Sequence, residues 1–449
     1  MELKKDDFGK DFAWGVSTAA YQIEGAHLKN GKGISIWDDF VGKKGNILNN
    51  AHANVSSDFY HNYPQDLALM RAMHIRNYRF SISWSRIFPN GTGAANKAGV
   101  DFYSRVIDFC LELEIEPWIT LYHWDLPLEL EKKGGWANRE MVNWFTQYVD
   151  FCVRTFGDRV KHWMVMNEPM VFTGAGYFLG VHAPGKKGLN SFLAAVHHAA
   201  LCQASGGRII RSIDSKAKIG TTFSCSHVDP LTGDEQDILA AGRINTLLNR
   251  VFVEPLLGLG YPVKDLKVLQ RLEPFIKNGD EELLSFDMDF IGIQNYTREV
   301  VAHSYFTPLL HARIVKASLR NVERTLMNWE IYPESIYKML LQFSQYENIR
   351  EIIVTENGSA FPDELQDGLI IDTKRKQYLQ DYLQQVLRAR NEGINVNGYF
   401  VWTFTDNFEW AEGYHPVFGL VHVNFSTQKR IVKSSGHWYS NFLSGLSAH

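Results

Sequence analysis

Short apolar runs recur along the chain, and each closes on polar or aromatic residues. FAWGVS (12–17), IRNYRFSIS (75–83), EPWITLYHW (116–124) and HWMVMNEP (162–169) come first. KIGTTFSC (218–225), DFIGIQNY (289–296), EIIVTENG (351–358) and NGYFVWTF (397–404) follow. Rich in β-branched and aromatic residues, and too short for buried helices, these eight runs read as strands. Between them the period becomes helical. PQDLALMRAMHI (64–75) sets Leu67, Met70 and Met73 on one face. MVNWFTQYVDFCVRTFG (141–157) stops at Gly157, and KRKQYLQDYLQQVLRARNEG (374–393) ends at Gly393 after late basic residues.

Strands alternating with helices imply parallel strands joined by right-handed crossovers. Eight such units predict an α/β fold, a (β/α)8 TIM barrel with extended βα loops. A doubly wound open sheet would want a glycine-rich phosphate loop after its first strand, and GVSTAAYQIEG is not one. No repeat, low-complexity tract or linker divides the chain, so residues 1–449 are expected to form a single barrel domain.

Composition narrows the function. The chain is 45% hydrophobic and 21% charged, an ordinary globular balance. A net charge of −4 gives no reason to expect nucleic acid or an anionic membrane as partner. No apolar run is long enough to span a membrane, and MELKKDDFGKDFAWG lacks the apolar core of a secretory leader, so a cytoplasmic location is expected. Cys110, Cys152, Cys202 and Cys225 form no CxxC pair, which suits a reducing compartment without structural zinc. His182, His197 and His198 lack metal-binding spacing, so no metal and no cofactor is expected. A homo-oligomer is left open. Aromatics reach 13%, with 12 Trp and 19 Tyr, enough for a large core or for platforms under flat ligand faces. Trp14, Trp144 and Trp163 read as core.

Barrel active sites lie at the carboxyl ends of the strands. Those ends carry Gln22 and Glu24, then Arg79, Trp84 and Arg86, then His123, Trp124 and Asp125. Next come Asn167 and Glu168, Asn295 and Tyr296, Glu356 and Asn357, and finally Trp402, Asp406, Glu409 and Trp410. A mouth so lined suits a polyol with flat apolar faces. Glu168 and Glu356 stand out, since each ends an apolar strand and the two strands face across the mouth. Paired carboxylates across a sugar-shaped cleft are what glycoside hydrolysis requires. A lone glutamate at a strand end is more often a solvated loop residue or an ion-pair partner. Two, with aromatics around them, point to chemistry.

These segments resemble the family 1 glycoside hydrolases, the β-glucosidase and β-galactosidase family. The resemblance begins at DFAWGVSTAAYQIEGA (11–26) and runs through SDFYHNYPQDLALM, YRFSISWSRIFP, LYHWDLP, MNEP, NWEIYPE and VTENG. It ends in WTFTDNFEWAEGY and FGLVHV. It implies that Glu168 is the acid/base and Glu356 the nucleophile. By the same resemblance Gln22, His123, Trp124, Asn167, Glu409 and Trp410 hold the non-reducing sugar, and Trp402 is its stacking floor. Arg79 and Tyr296 hold the nucleophile, Trp329 walls the leaving-group site, and Asn295 and Phe418 also belong to the substrate pocket. Where the family reads N-Y-Y, this chain reads Gln294-Asn295-Tyr296, so either amide could fill the family's Asn role. Ala411 follows Trp410, and GYHPVFG lacks the grip of the 6-phospho branch, so a non-phosphorylated glycone is implied. The implied reaction retains the β configuration, with carboxyl groups about 5–5.5 Å apart. Arg79 and Tyr296 are expected to keep Glu356 ionised, and Glu356 to raise Glu168.

Overall fold

The computed structural model describes residues 3–445, so residues 1–2 and 446–449 of the expected 1–449 domain lie outside the described residues. All eight strand expectations correspond to barrel strands. They are β1 (Ala13–Ser17), β2 (Asn77–Ser81), β3 (Glu116–Thr120) and β4 (His162–Asn167). They continue as β5 (Lys218–Ser224), β6 (Phe290–Gln294), β7 (Ile352–Asn357) and β8 (Val396–Trp402). Each pairs in parallel with its chain neighbour, and β8 closes on β1. The fold is a (β/α)8 TIM barrel.

Strands covered by helices outside and side chains inside need no polar face. That explains runs such as IIV and WMVM. Toward the amino ends of the strands the interior is filled by Trp118, Met164, Phe290, Ile353 and Phe400. Nearer the carboxyl ends it turns polar, with Arg79, Asn167, Thr222, Gln294 and Glu356, all buried.

The helices follow their sequence patterns closely. Met141–Phe156 buries Met141, Phe145, Tyr148, Val149, Cys152, Val153 and Phe156 along one stripe. Trp144 lies off that stripe, half-buried under the Lys133 ammonium and packed against the edge of the core rather than within it. The helix expected over 64–75 instead spans Phe59–Ala72, with Pro64 inside. It begins after Asp58, whose carbonyl accepts from the His61 and Asn62 amides and closes a turn before the proline.

Beyond the barrel, the loops after β5 and β6 contribute a small sheet of residues His227–Pro230, Arg298–His303 and Ala312–Ile314. Among the described residues no helix is long and apolar enough to cross a membrane. All four cysteines are buried and unpaired.

Candidate active site

Two register shifts aim the functional side chains. On β4, Met164 pairs with Gly220 but Asn167 with Thr222, so one extra residue is accommodated. Strict alternation from the inward Met164 would turn Met166 inward; the shift turns Asn167 inward instead, onto the Arg79 guanidinium. On β7, Val354 pairs with Ile293 and Glu356 with Gln294, again with one residue extra. Strict alternation from the inward Ile353 would send Glu356 out to the helices. The shift brings it into the mouth and leaves Asn357 facing outward, bonded to Tyr378 and Tyr399. Gly358 follows because the Trp402 carbonyl oxygen would lie 1.8 Å from a Cβ there.

Glu356 is held by three donors. Arg79 Nη1 and Gln294 Nε2 (2.8 Å) donate to Oε1, and the Tyr296 hydroxyl donates to Oε2 at 2.6 Å. Arg79 is itself fixed, with Nη2 donating to Asn167 Oδ1 at 2.5 Å and Nε to Thr120 Oγ1 at 3.1 Å.

Glu168 directly follows β4 in left-handed backbone (φ 45°), its amide donating to the Thr222 carbonyl at 2.9 Å. Burial pushes its carboxyl well above the usual range; the Glu356 charge adds to this, and Ser224 and Arg79 oppose it. Burial also raises Glu356, against the pull of Arg79 and Tyr296. Arg79 and Tyr296 thus pull in the direction expected of them, toward the ionised form, and burial opposes them. Burial and the Glu356 charge together favour the protonated form of Glu168.

Glu168 and Glu356 line one cavity of about 290 Å³ with His123, Trp124, Tyr296, Trp329, Trp402, Glu409, Trp410 and Phe418. The Trp124 and Trp410 rings pack with centroids 4.6 Å apart, and the Trp124 indole N–H donates to the Asn167 carbonyl at 2.9 Å. His123 accepts from Asn167 Nδ2 at 3.0 Å, and burial with the Arg79 charge keeps its imidazole neutral. Glu409 is pushed up to about 8 by burial and by Glu356. Gln22 lies behind the wall, its amide donating to Glu409 Oε2 at 3.1 Å and to the Phe408 carbonyl at 2.9 Å. Asn167 likewise lies beneath the lining, its Oδ1 accepting from Arg79, Thr222 and Gln294.

Asn295 requires a correction. It points out of the pocket, its Nδ2 donating to the Cys225 carbonyl at 2.8 Å and to Ser335 Oγ at 2.9 Å. The β6–β7 register sets Gln294 beside Glu356, and the next residue faces the other way. The dyad's amide is therefore Gln294. Ser224, the last residue of β5, also lines the cavity, as do His182, Met327 and Glu299, which carried no strand-end signal in the sequence.

Other polar strand ends serve the scaffold. Glu24 accepts from Arg86 Nε at 2.9 Å and from Tyr103. Asp406 accepts from Lys433 Nζ at 2.7 Å.

Residues 4–445 match the family described as glycosyl hydrolase family 1. The chain belongs to that family. It is 42% identical to beta-glucosidase A of Acetivibrio thermocellus over 449 residues, covering 98% of this chain and 99% of the relative. Beta-glucosidase A of Thermotoga maritima is 41% identical over 443 residues, covering 98% of each. A solved structure titled as a family 1 β-glucosidase from Thermotoga maritima superposes with a TM-score of 0.94 at 40% identity, over 99% of both chains.

In this glycoside hydrolase one trio of ligand-type groups, Asp363, Asp406 and His422, lies close together among the described residues. Lys433 Nζ already bridges Asp363 (2.8 Å) and Asp406 (2.7 Å) and supplies their cation. None of the three lines the cavity, and with Lys433 between the carboxylates the trio does not fit a catalytic metal.

Proposed function

We propose that this enzyme is a retaining β-glucosidase that removes terminal non-reducing β-D-glucosyl residues through a covalent intermediate on Glu356. The observation that carries the reading is the asymmetry of the dyad. Glu356 receives Arg79, Gln294 and Tyr296, all of which favour its carboxylate, whereas Glu168 is buried beside a negative charge, which favours its protonated form.

In the first step Glu356 attacks the anomeric carbon while Glu168 gives its proton to the leaving oxygen. The glycosidic C–O bond breaks and a glucosyl ester forms on Glu356. Ester formation removes the Glu356 charge, so Glu168 becomes more acidic. It then takes a proton from water, whose oxygen attacks the anomeric carbon. The ester bond breaks, β-glucose leaves, and both carboxyls return to their starting states. His123, Glu409 and the Trp402 and Trp410 faces suit sugar hydroxyls and ring faces. Such binding remote from the breaking bond can be realised in the transition state.

A non-phosphorylated glycone is supported by the cavity lining, which includes Glu409 and Glu412 and, among the described residues, no lysine or arginine. The unpaired buried thiols support a reducing, cytoplasmic setting.

The test is a panel of nitrophenyl α- and β-glycosides, with and without a 6-phosphate, plus NMR of the first-formed anomer. Turnover of the β-glucoside with β-glucose appearing first is expected. No turnover would favour a non-catalytic sugar-binding barrel, and first appearance of the α-anomer would rule out retention.

A further inference from the structure

Glu299 lines the same cavity as the dyad, on the strand Arg298–His303 just past Tyr296. Its neighbours in the lining are Cys225, Ser226, Thr297, Met327 and Trp329, contributed by the loops after β5 and β6. The aromatic and acidic groups suited to the glycone come instead from the ends of β3 and β8. Glu299 therefore borders the leaving-group half.

Among the described residues no hydrogen bond or ion pair holds the Glu299 carboxylate. The nearby cations are engaged elsewhere. Arg298 donates to Asp229 (2.9 Å) and to both oxygens of Glu330 (2.9 and 3.0 Å), and Arg320 donates to Glu330 at 2.5 Å. A half-buried acid without a partner faces the cavity with its acceptors free, and a ligand that excludes water there must satisfy them. Burial lifts its carboxyl to about 7, with Glu330 adding to the rise and Arg320 opposing it.

We propose that Glu299 is a specificity-determining residue that accepts hydrogen bonds from the hydroxyls of a second sugar in the leaving-group half, so that the enzyme favours glucosyl saccharides over glucosides with apolar leaving groups. An alkyl chain against Glu299 would desolvate the carboxylate without pairing it. A sugar would replace the lost water with donors. The inference rests on the β-glucosidase reading above.

The experiment compares kcat/KM for cellobiose with kcat/KM for octyl β-glucoside in wild type, Glu299→Leu and Glu299→Gln, with thermal unfolding as a check on the fold. A bond to a charged acceptor is worth roughly tenfold or more in kcat/KM. The cellobiose-to-octyl ratio should therefore fall at least about tenfold in Glu299→Leu and less in Glu299→Gln. Should the leucine variant not fold, the isosteric glutamine variant still reads the ratio. An unchanged ratio in a folded variant, with wild type active on both substrates, overturns the role of Glu299 alone. A wild type inactive on both overturns the β-glucosidase reading and this inference with it.

Discussion

Arg79 and Glu356 form an ion pair whose side chains are 0% and 4% exposed, joining β2 to β7 across the barrel interior. Such a pair needs both members, because removing one leaves a buried charge uncompensated at a cost of about 3–5 kcal/mol. Arg79→Met should therefore lower the urea unfolding free energy by about that amount and depress kcat on every glycoside. Equal stability of variant and wild type would contradict the arrangement.

Glu356→Gly should abolish turnover of all β-glucosides. In wild type, a 2-fluoro glucoside with a good leaving group should form a stable adduct that peptide mass spectrometry locates on Glu356. An adduct on another residue would refute the nucleophile assignment.

Glu168 must be protonated to act as the acid, so activity is lost as pH rises through its folded pKa. Because the Glu409 charge raises Glu168, Glu409→Gln should move the basic limb of kcat/KM to lower pH, whatever it does to the plateau. Glu168→Ala should reduce rates by about 10²- to 10⁴-fold on poor leaving groups and by much less on dinitrophenyl glucoside. A uniform loss across leaving groups would speak against its role as acid.

Gln294 and Asn295 are adjacent and should behave oppositely. Gln294→Ala removes a donor to Glu356 and should lower kcat with a modest change in stability. Asn295→Ala removes bonds that tie the loops after β5 and β6 together, and should cost about 1–3 kcal/mol of stability with little change in KM. Exchange of the two phenotypes would restore Asn295 to the pocket.

Asp125 is buried, and its carboxyl is pushed up to about 8, chiefly by burial, against Ser83 and Lys32. A carboxyl raised on folding binds its proton more tightly in the native state. Its contribution is present below the unfolded pKa and is lost as pH rises through about 8. Relative to wild type, Asp125→Asn should gain stability between pH 5 and 8, by up to about 1.4 kcal/mol per pH unit. Urea melts at pH 5, 7 and 9 measure this, and parallel pH profiles would count against it.

The barrel, its strands and the two glutamates were legible in the sequence because their causes are local. Strand and helix periods differ, and the two runs that end in Glu-Asn-Gly and Asn-Glu-Pro each put a carboxylate at a strand tip. Pairings between distant segments were legible only through the family resemblance, which implied that Arg79 holds Glu356 across 277 positions; the Lys433 bridge between Asp363 and Asp406 carried no such signal. One extra residue in β4 and another in β7 decide that Asn167 and Glu356 face the mouth, since a shift of one residue exchanges the faces of a strand. The same register selects Gln294 over Asn295. Glu299, in a loop strand with no periodic signal, acquires a role only through the cavity that the folded loops enclose. Periodicity is a property of neighbours along the chain, whereas the partner of a buried polar group is chosen by register and packing, and that choice only the tertiary structure makes.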